Sequence, residues 1–136
     1  MKKFKLLVFI DDDHPTNVFH KIVVEESNLC EEALFFTSPL EALKYFERLC
    51  KEASPVLPDA IFLDINMPQL NGWQFIQAYQ KLGIRESPVI IMLTTSLYTQ
   101  DVAKAEELDI VHKLINKPLE TSHLRALTEE LQFING

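Results

Sequence analysis

The chain has 136 residues, 47% of them apolar, and a formal net charge of −7. That length and apolar content suit one domain with a core rather than a disordered segment, and acids spread along the chain argue against a nucleic-acid-binding face. Lys2, Lys3 and Lys5 lead into a short apolar run at 6–10, below the ~7–15 residues of a secretory core and the ~20 of a membrane span, so a soluble cytoplasmic protein is expected, with no membrane partner.

Residues 6–10 predict the first strand. Pro15, tolerated in a first turn, and Val18, Phe19, Ile22 and Val23 predict the helix after it. The run 33–36 predicts a second strand. Ser38 is placed as the N-cap of a helix that starts at Pro39 and Glu41, with Leu40, Leu43, Phe46 and Cys50 on its inner stripe. Residues 60–63 predict a third strand. Asn71-Gly72 is a turn in which Gly72 supplies a positive φ or a helix start, and Phe75, Ile76 and Tyr79 form the next stripe. The run 89–93 predicts a fourth strand, and 100–108, with Val102, Ala103 and Ala105, carries the weakest helical pattern. His112 and Lys113 interrupt the fifth run, 110–115, which marks an edge strand, and Leu124, Leu127, Leu131 and Ile134 form the last stripe.

Continuous rather than alternating apolar runs are what strands covered on both faces look like. The expected fold is α/β: a doubly wound, five-stranded parallel sheet with helices on both faces, one domain over 1–136. The last helix reaches the end of the sequence, so no output domain is expected. Cys30 and Cys50 match no metal spacing and are expected to be buried free thiols.

In such a sheet the ligand site lies beyond the carboxyl ends of the strands, where strand order reverses. Asp11, Asp12 and Asp13 follow the first strand; Asp64, Asn66, Met67 and Pro68 the third; Thr94, Thr95 and Ser96 the fourth; Lys117 and Pro118 the fifth. Taken singly, each has an ordinary reading: a solvated acidic loop, a helix cap (the expected role of Asp13), strand threonines, a Lys-Pro stop. Together they suit one chemistry. Clustered carboxylates repel one another unless a hard cation sits among them, and oxygen donors suit Mg²⁺. An ammonium and a hydroxyl can hold phosphoryl oxygens, and a carboxylate oxygen can attack phosphorus to give an acyl phosphate. His14, His20, His112 and His123 lack metal-ligand spacing, no glycine-rich phosphate loop is present, and Trp73 is expected to pack or be partly exposed.

The stretches LLVFIDDDHPTN, IFLDINMPQLNGWQFI, PVIIMLTTS and INKPL resemble, in order, the four sequence blocks of the response-regulator receiver (CheY-like) family, over essentially the whole chain. The resemblance implies a flavodoxin-like fold and a phosphorylation switch rather than an enzyme acting on a separate substrate. Asp64 takes the phosphoacceptor position. Asp11 and Asp12 form the acidic pair, Asp12 binding Mg²⁺ directly and Asp11 largely through water, although a slip to Asp12 and Asp13 is the alternative. Asn66 offers a backbone carbonyl to the metal. Thr94, with Thr95 as its neighbouring alternative, is the switch hydroxyl, Lys117 contacts the phosphoryl group, and Pro118 follows in the usually cis-linked position.

The implied partners are a histidine kinase or histidine phosphotransfer protein as donor, and an unknown downstream protein that reads the face of helix 4, strand 5 and helix 5. One residue departs from the pattern: Leu114 stands where an aromatic side chain often swings inward, so Tyr98 is expected to take part instead. Two rival readings fit the residues less well. A phosphatase of the haloacid-dehalogenase kind needs Asp-x-Asp after its first strand, whereas Asp64-Ile65-Asn66 follows the third and lacks the second acid. A degenerate receiver that only docks is disfavoured because the acids, the threonine and the lysine are all present.

Overall fold

A computed structural model of the chain describes residues 3–84 and 88–135, side chains of 132–135 excepted. Five strands and five helices alternate: β1 (Phe4–Ile10), α1 (His14–Ser27), β2 (Cys30–Phe36), α2 (Pro39–Cys50), β3 (Ala60–Asp64), α3 (Gly72–Gln80), β4 (Val89–Thr94), α4 (Thr99–Glu107), β5 (Val111–Asn116) and α5 (Thr121–Asn135). The strands form one parallel sheet in the order β2-β1-β3-β4-β5. The chain steps from β1 outward to β2 and then back across β1 to β3. Strand order therefore reverses between β1 and β3, and the crevice at their carboxyl ends is where ligands bind in such sheets.

Successive strand residues face opposite sides. Val8, Ile10, Ile61, Leu63 and Met92 meet Phe46 of α2 and Phe75 and Tyr79 of α3. Leu7, Phe9, Phe62, Ile91 and Leu93 meet Val23 of α1 and Leu124 and Leu127 of α5. All five residues of β3 are buried, and Ile61, Phe62 and Leu63 contribute about 1.5–3 kcal/mol each, so the strand that ends on Asp64 is firmly anchored. On the α1/α5 side the Phe9 ring stacks between Phe35 and Phe62, at centroid distances of 5.0 and 4.6 Å. β5 is an edge strand, and its polar interruptions have a partner: Glu130 of α5 takes His112 Nε2 at 2.9 Å and Lys113 Nζ at 2.7 Å.

Two expectations need correction. On α1, Val18, Phe19 and Ile22 are 46, 43 and 47% exposed, and the buried face is Asn17, His20, Val23 and Val24. Both faces of this helix carry side chains that could pack. The inner one wins because the Asn17 amide has backbone carbonyls to serve and the His20 ring lies 5.3 Å from Phe9. On α2 the inner face is Pro39, Ala42, Phe46 and Leu49, which leaves Leu40 and Cys50 exposed; Cys30 is half-buried, and both cysteines are free thiols. Gly72 starts α3, the second of its two expected roles, and has no positive φ. A Cβ there would sit 2.8 Å from the Asp64 carbonyl oxygen and 2.8 Å from Met92 Cε, so close approach explains this glycine, whereas Gly83 is the one at φ 70°. Ser38 caps α2 as expected, accepting from Glu41 N at 3.3 Å. The Ile134 side chain lies outside the described residues.

Burial beside Phe9 pushes the His20 imidazole down to about 4. A histidine depressed on folding contributes stability that is complete above its ordinary value of ~6.5 and is lost as pH falls toward the folded value. Urea unfolding from pH 7 to pH 4 is therefore expected to cost the wild type about 3 kcal/mol more than it costs His20→Leu; parallel pH curves for the two proteins would contradict this.

Candidate functional site

The ladder pairs Ile10 with Leu63, Asp64 with Leu93 and Thr94 with Asn116, so the ends of β1, β3, β4 and β5 share one rim. Asp11, Asp64 and Thr94 are buried there, while Asp12 is exposed. Carboxylate oxygens of Asp11, Asp12 and Asp64 all lie within 4.8 Å of one another. Asp13 turns away from them: its carboxylate caps α1, accepting from Thr16 N at 3.0 Å and from the Thr16 hydroxyl. The acids that converge with Asp64 are thus Asp11 and Asp12, and Asp13 serves the helix start.

Lys117 reaches into this group, donating to Asp11 Oδ2 at 2.7 Å and to Asp64 Oδ1 at 3.1 Å. Its own backbone N donates to the Thr94 carbonyl at 2.7 Å, and its peptide bond to Pro118 is cis. Every polar group of Asp11 is engaged. The N–H donates to Phe36 O, Oδ1 accepts from Asp13 N, Oδ2 accepts from Lys117, and the carbonyl accepts from Asn17 Nδ2 at 3.0 Å. The same Asn17 amide donates to Phe36 O at 3.1 Å and so stitches the ends of β1 and β2 together where their ladder runs out. Sequence reading missed Asn17; the available signal was a polar residue six positions after Asp11, on the helix face that turns toward the sheet.

Two expected residues stand apart from the cluster. The Thr94 hydroxyl donates to Ser96 O at 2.9 Å and accepts from Ser96 N at 3.2 Å. Asn66 is exposed on the loop that leaves β3, and Thr95 is exposed as well. Leu114 is half-buried against the α2/α3 side of the core, and Tyr98 is 62% exposed at the N-cap of α4.

Burial, with the nearby Asp11 charge acting the same way, raises the Asp64 carboxyl to about 6, and Lys117 offsets only part of this. Burial pushes the Lys117 ammonium down, but its hydrogen bonds and charge pairing with Asp11 and Asp64 outweigh that and raise it. One ammonium, bonded to two of them, therefore stands against three clustered carboxylates. An all-oxygen donor set with surplus negative charge fits a hard divalent cation of the Mg²⁺ type. With that ion bound, the rim could receive the oxygens of a phosphoryl group.

Residues 7–129 match the family model of the response regulator receiver domain. The chain belongs to that family, whose members are phosphorylation switches. Among curated relatives it is similar to response regulator Rcp1 of Synechocystis sp., 23% identical over 107 residues that cover 78% of this chain and 72% of the relative. Among solved structures it is similar to a two component response regulator from Cytophaga hutchinsonii, with a TM-score of 0.88 and 29% identity over 96% of this chain and 98% of the other. The chemotaxis protein CheY4 of Vibrio cholerae shares the fold, with a TM-score of 0.74 and 18% identity over 93% and 97% of the two chains. No described helix is long and apolar enough to cross a membrane.

The raised Asp64 pKa has a sign that can be checked. A carboxyl raised on folding contributes stability that is complete below its ordinary value near 4 and is lost as pH rises through about 6. Without divalent cations, Asp64→Asn is expected to stabilise the protein at pH 7.5 by about 2 kcal/mol and to lose that advantage below pH 4. Chemical denaturation in a chelator measures this, and a destabilised variant at pH 7.5 would contradict it.

Proposed function

We propose that this chain is the phosphoacceptor receiver of a two-component phosphorelay, working in the cytoplasm as one domain over 1–136. A phosphohistidine of a histidine kinase or histidine phosphotransfer protein donates its phosphoryl group to Asp64. An Asp64 oxygen forms the new P–O bond, the P–N bond to the imidazole breaks, and the imidazole leaves with its electron pair and takes up a proton. Asp11, Asp12 and Asp64, with the Asn66 backbone carbonyl, would hold Mg²⁺, which when bound neutralises charge on the phosphoryl oxygens. The observation that carries this reading is a buried aspartate at a strand end, with two acids and a lysine within reach and a pKa raised by its surroundings.

The remaining steps fall to this chain's own side chains. Lys117, now shared between Asp11 and Asp64, turns to the oxygens of the new phosphoryl group. The Thr94 hydroxyl leaves Ser96 and donates to another of them. Both movements pull on the loops that lead into α4 and out of β5. They bias a two-state equilibrium in the α4–β5–α5 face that a downstream protein reads. The donor has a fitting approach. A cleft of roughly 440 Å³ between Phe19 and Pro118 has Lys117 in its lining, and the exposed Phe19 at its edge, with Val18 and Ile22 also exposed on α1, offers apolar surface to a partner helix. Full retention of the acids, Thr94 and Lys117 favours this switch over a receiver that only docks.

Incubation with acetyl phosphate and Mg²⁺ is expected to add one phosphoryl group to the wild type, read by intact mass, and none to Asp64→Asn. Labelling of Asp64→Asn at the wild-type rate would overturn the assignment of the acceptor. Asn17→Leu, which removes both donors from the ends of β1 and β2, is expected to raise the Mg²⁺ dissociation constant about tenfold by calorimetry, because Asp11 loses its mount. An unchanged constant would show that Asp11 is held well enough without it.

A further inference from the structure

Among the described residues, helix α4 buries the fewest side chains of the five helices. Ala105 is its one buried residue, and its N-cap, Tyr98, makes no side-chain capping bond. A side chain from the first turn of α3 grips it instead. The Trp73 indole Nε1 donates to Asp101 Oδ1 at 3.0 Å, and Lys104 Nζ, one turn further along α4, lies 5.5 Å from the centre of the Trp73 ring. A hydrogen bond to a carboxylate and a cation over an indole face are both stronger than neutral surface contacts.

Trp73 is itself mounted on the acceptor strand. Its neighbour Gly72 donates from N to Ile65 O at 2.8 Å and lies so close to the Asp64 carbonyl oxygen that a Cβ would come within 2.8 Å of it. One residue touches the backbone of Asp64, and the next holds α4. The path from acceptor to helix does not pass through Leu114 or the exposed Tyr98.

We propose that Trp73 is a positioning residue: its clasp on Asp101 and Lys104 holds α4 in the resting placement, and letting go of it is part of the phosphorylation switch. The inference rests on the reading of Asp64 given above. In the resting arrangement Thr94 is bonded to Ser96, in the loop that leads into α4. Thr94 cannot turn to a phosphoryl group without freeing Ser96, and a clasp that fixes the start of α4 opposes that. Weakening it raises the population of the competent form, and with it the rate at which Asp64 accepts phosphorus.

The test uses the full chain and three single variants. Trp73→Phe keeps a ring but loses the N–H; Asp101→Ala loses the acceptor; Asp101→Asn keeps an amide oxygen able to accept. With acetyl phosphate and Mg²⁺, Trp73→Phe and Asp101→Ala are each expected to label about three- to tenfold faster than the wild type. The double variant is expected to be no faster than either single one, because both remove one interaction. Asp101→Asn is expected to stay near the wild-type rate. Melting temperatures of the fast variants are expected to be equal or lower, and a loss of packing alone does not combine lower stability with faster labelling. Unchanged or slower labelling in both single variants, or effects that multiply in the double, would overturn the clasp. A wild type that takes no label would remove the Asp64 reading and the clasp together, whereas a labelled wild type with silent variants would remove the clasp alone.

Discussion

Two aspartates buried at neighbouring strand ends, with one lysine between them, form the arrangement on which the rest of this molecule turns. Asp11 and Asp64 are almost wholly removed from solvent, and charge in such a place is costly unless it is paired. Lys117 bonds to both and still leaves surplus negative charge with Asp12 alongside. Burial and that surplus charge hold the Asp64 carboxyl above the usual carboxylate range. A group with this electrostatic history gains from any added positive charge, and a phosphoryl group arriving with a divalent cation is one chemistry that brings it. In the proposed function, the lysine that calms the resting site is also the group that meets the incoming oxygens.

The sheet order makes the arrangement possible. Because β1 and β3 are adjacent while their connections leave in opposite directions, their carboxyl ends open onto a crevice rather than under a crossover. Surrounding hydrogen bonds then fix the acids to the frame. Asn17 holds Asp11 by its carbonyl, the Asp11 N–H continues the β1–β2 ladder, and the Lys117 N–H ties the end of β5 to Thr94 at the end of β4. Polar atoms inside α1 have a cost, since Asn17 Oδ1 and His20 Nδ1 are buried with no protein partner. That cost falls on the helix beside the acidic pair, where position matters more than stability.

Much of this was legible in the sequence because burial on both faces leaves a plain mark. Four of the five strands carry nearly unbroken apolar runs, and the polar residues at the ends of β1, β3, β4 and β5 are those of the candidate site. The faces of the helices were harder to read. In α1, Val18, Phe19 and Ile22 looked like the inner stripe, yet Asn17 and His20 went inside with Val23 and Val24, because hydropathy does not register two carbonyls in need of a donor. Cys50 failed for a related reason: Leu49, one position earlier, took the inward place. The Trp73 contact could not be read at all, since Asp101 lies 28 residues away and only the packing of α3 beside α4 brings them together. Local composition shows which residues end a strand; it does not show which helix meets which.

The most direct test of the central claim is a crystal structure of the protein with Mg²⁺ and beryllofluoride. The account predicts beryllium bonded to an Asp64 carboxylate oxygen, the cation held by Asp11 and Asp12, and Lys117 moved from Asp11 to a fluorine. A complex in which beryllofluoride sits on a different carboxylate, or in which Lys117 still joins Asp11 to Asp64 as it does here, would contradict it.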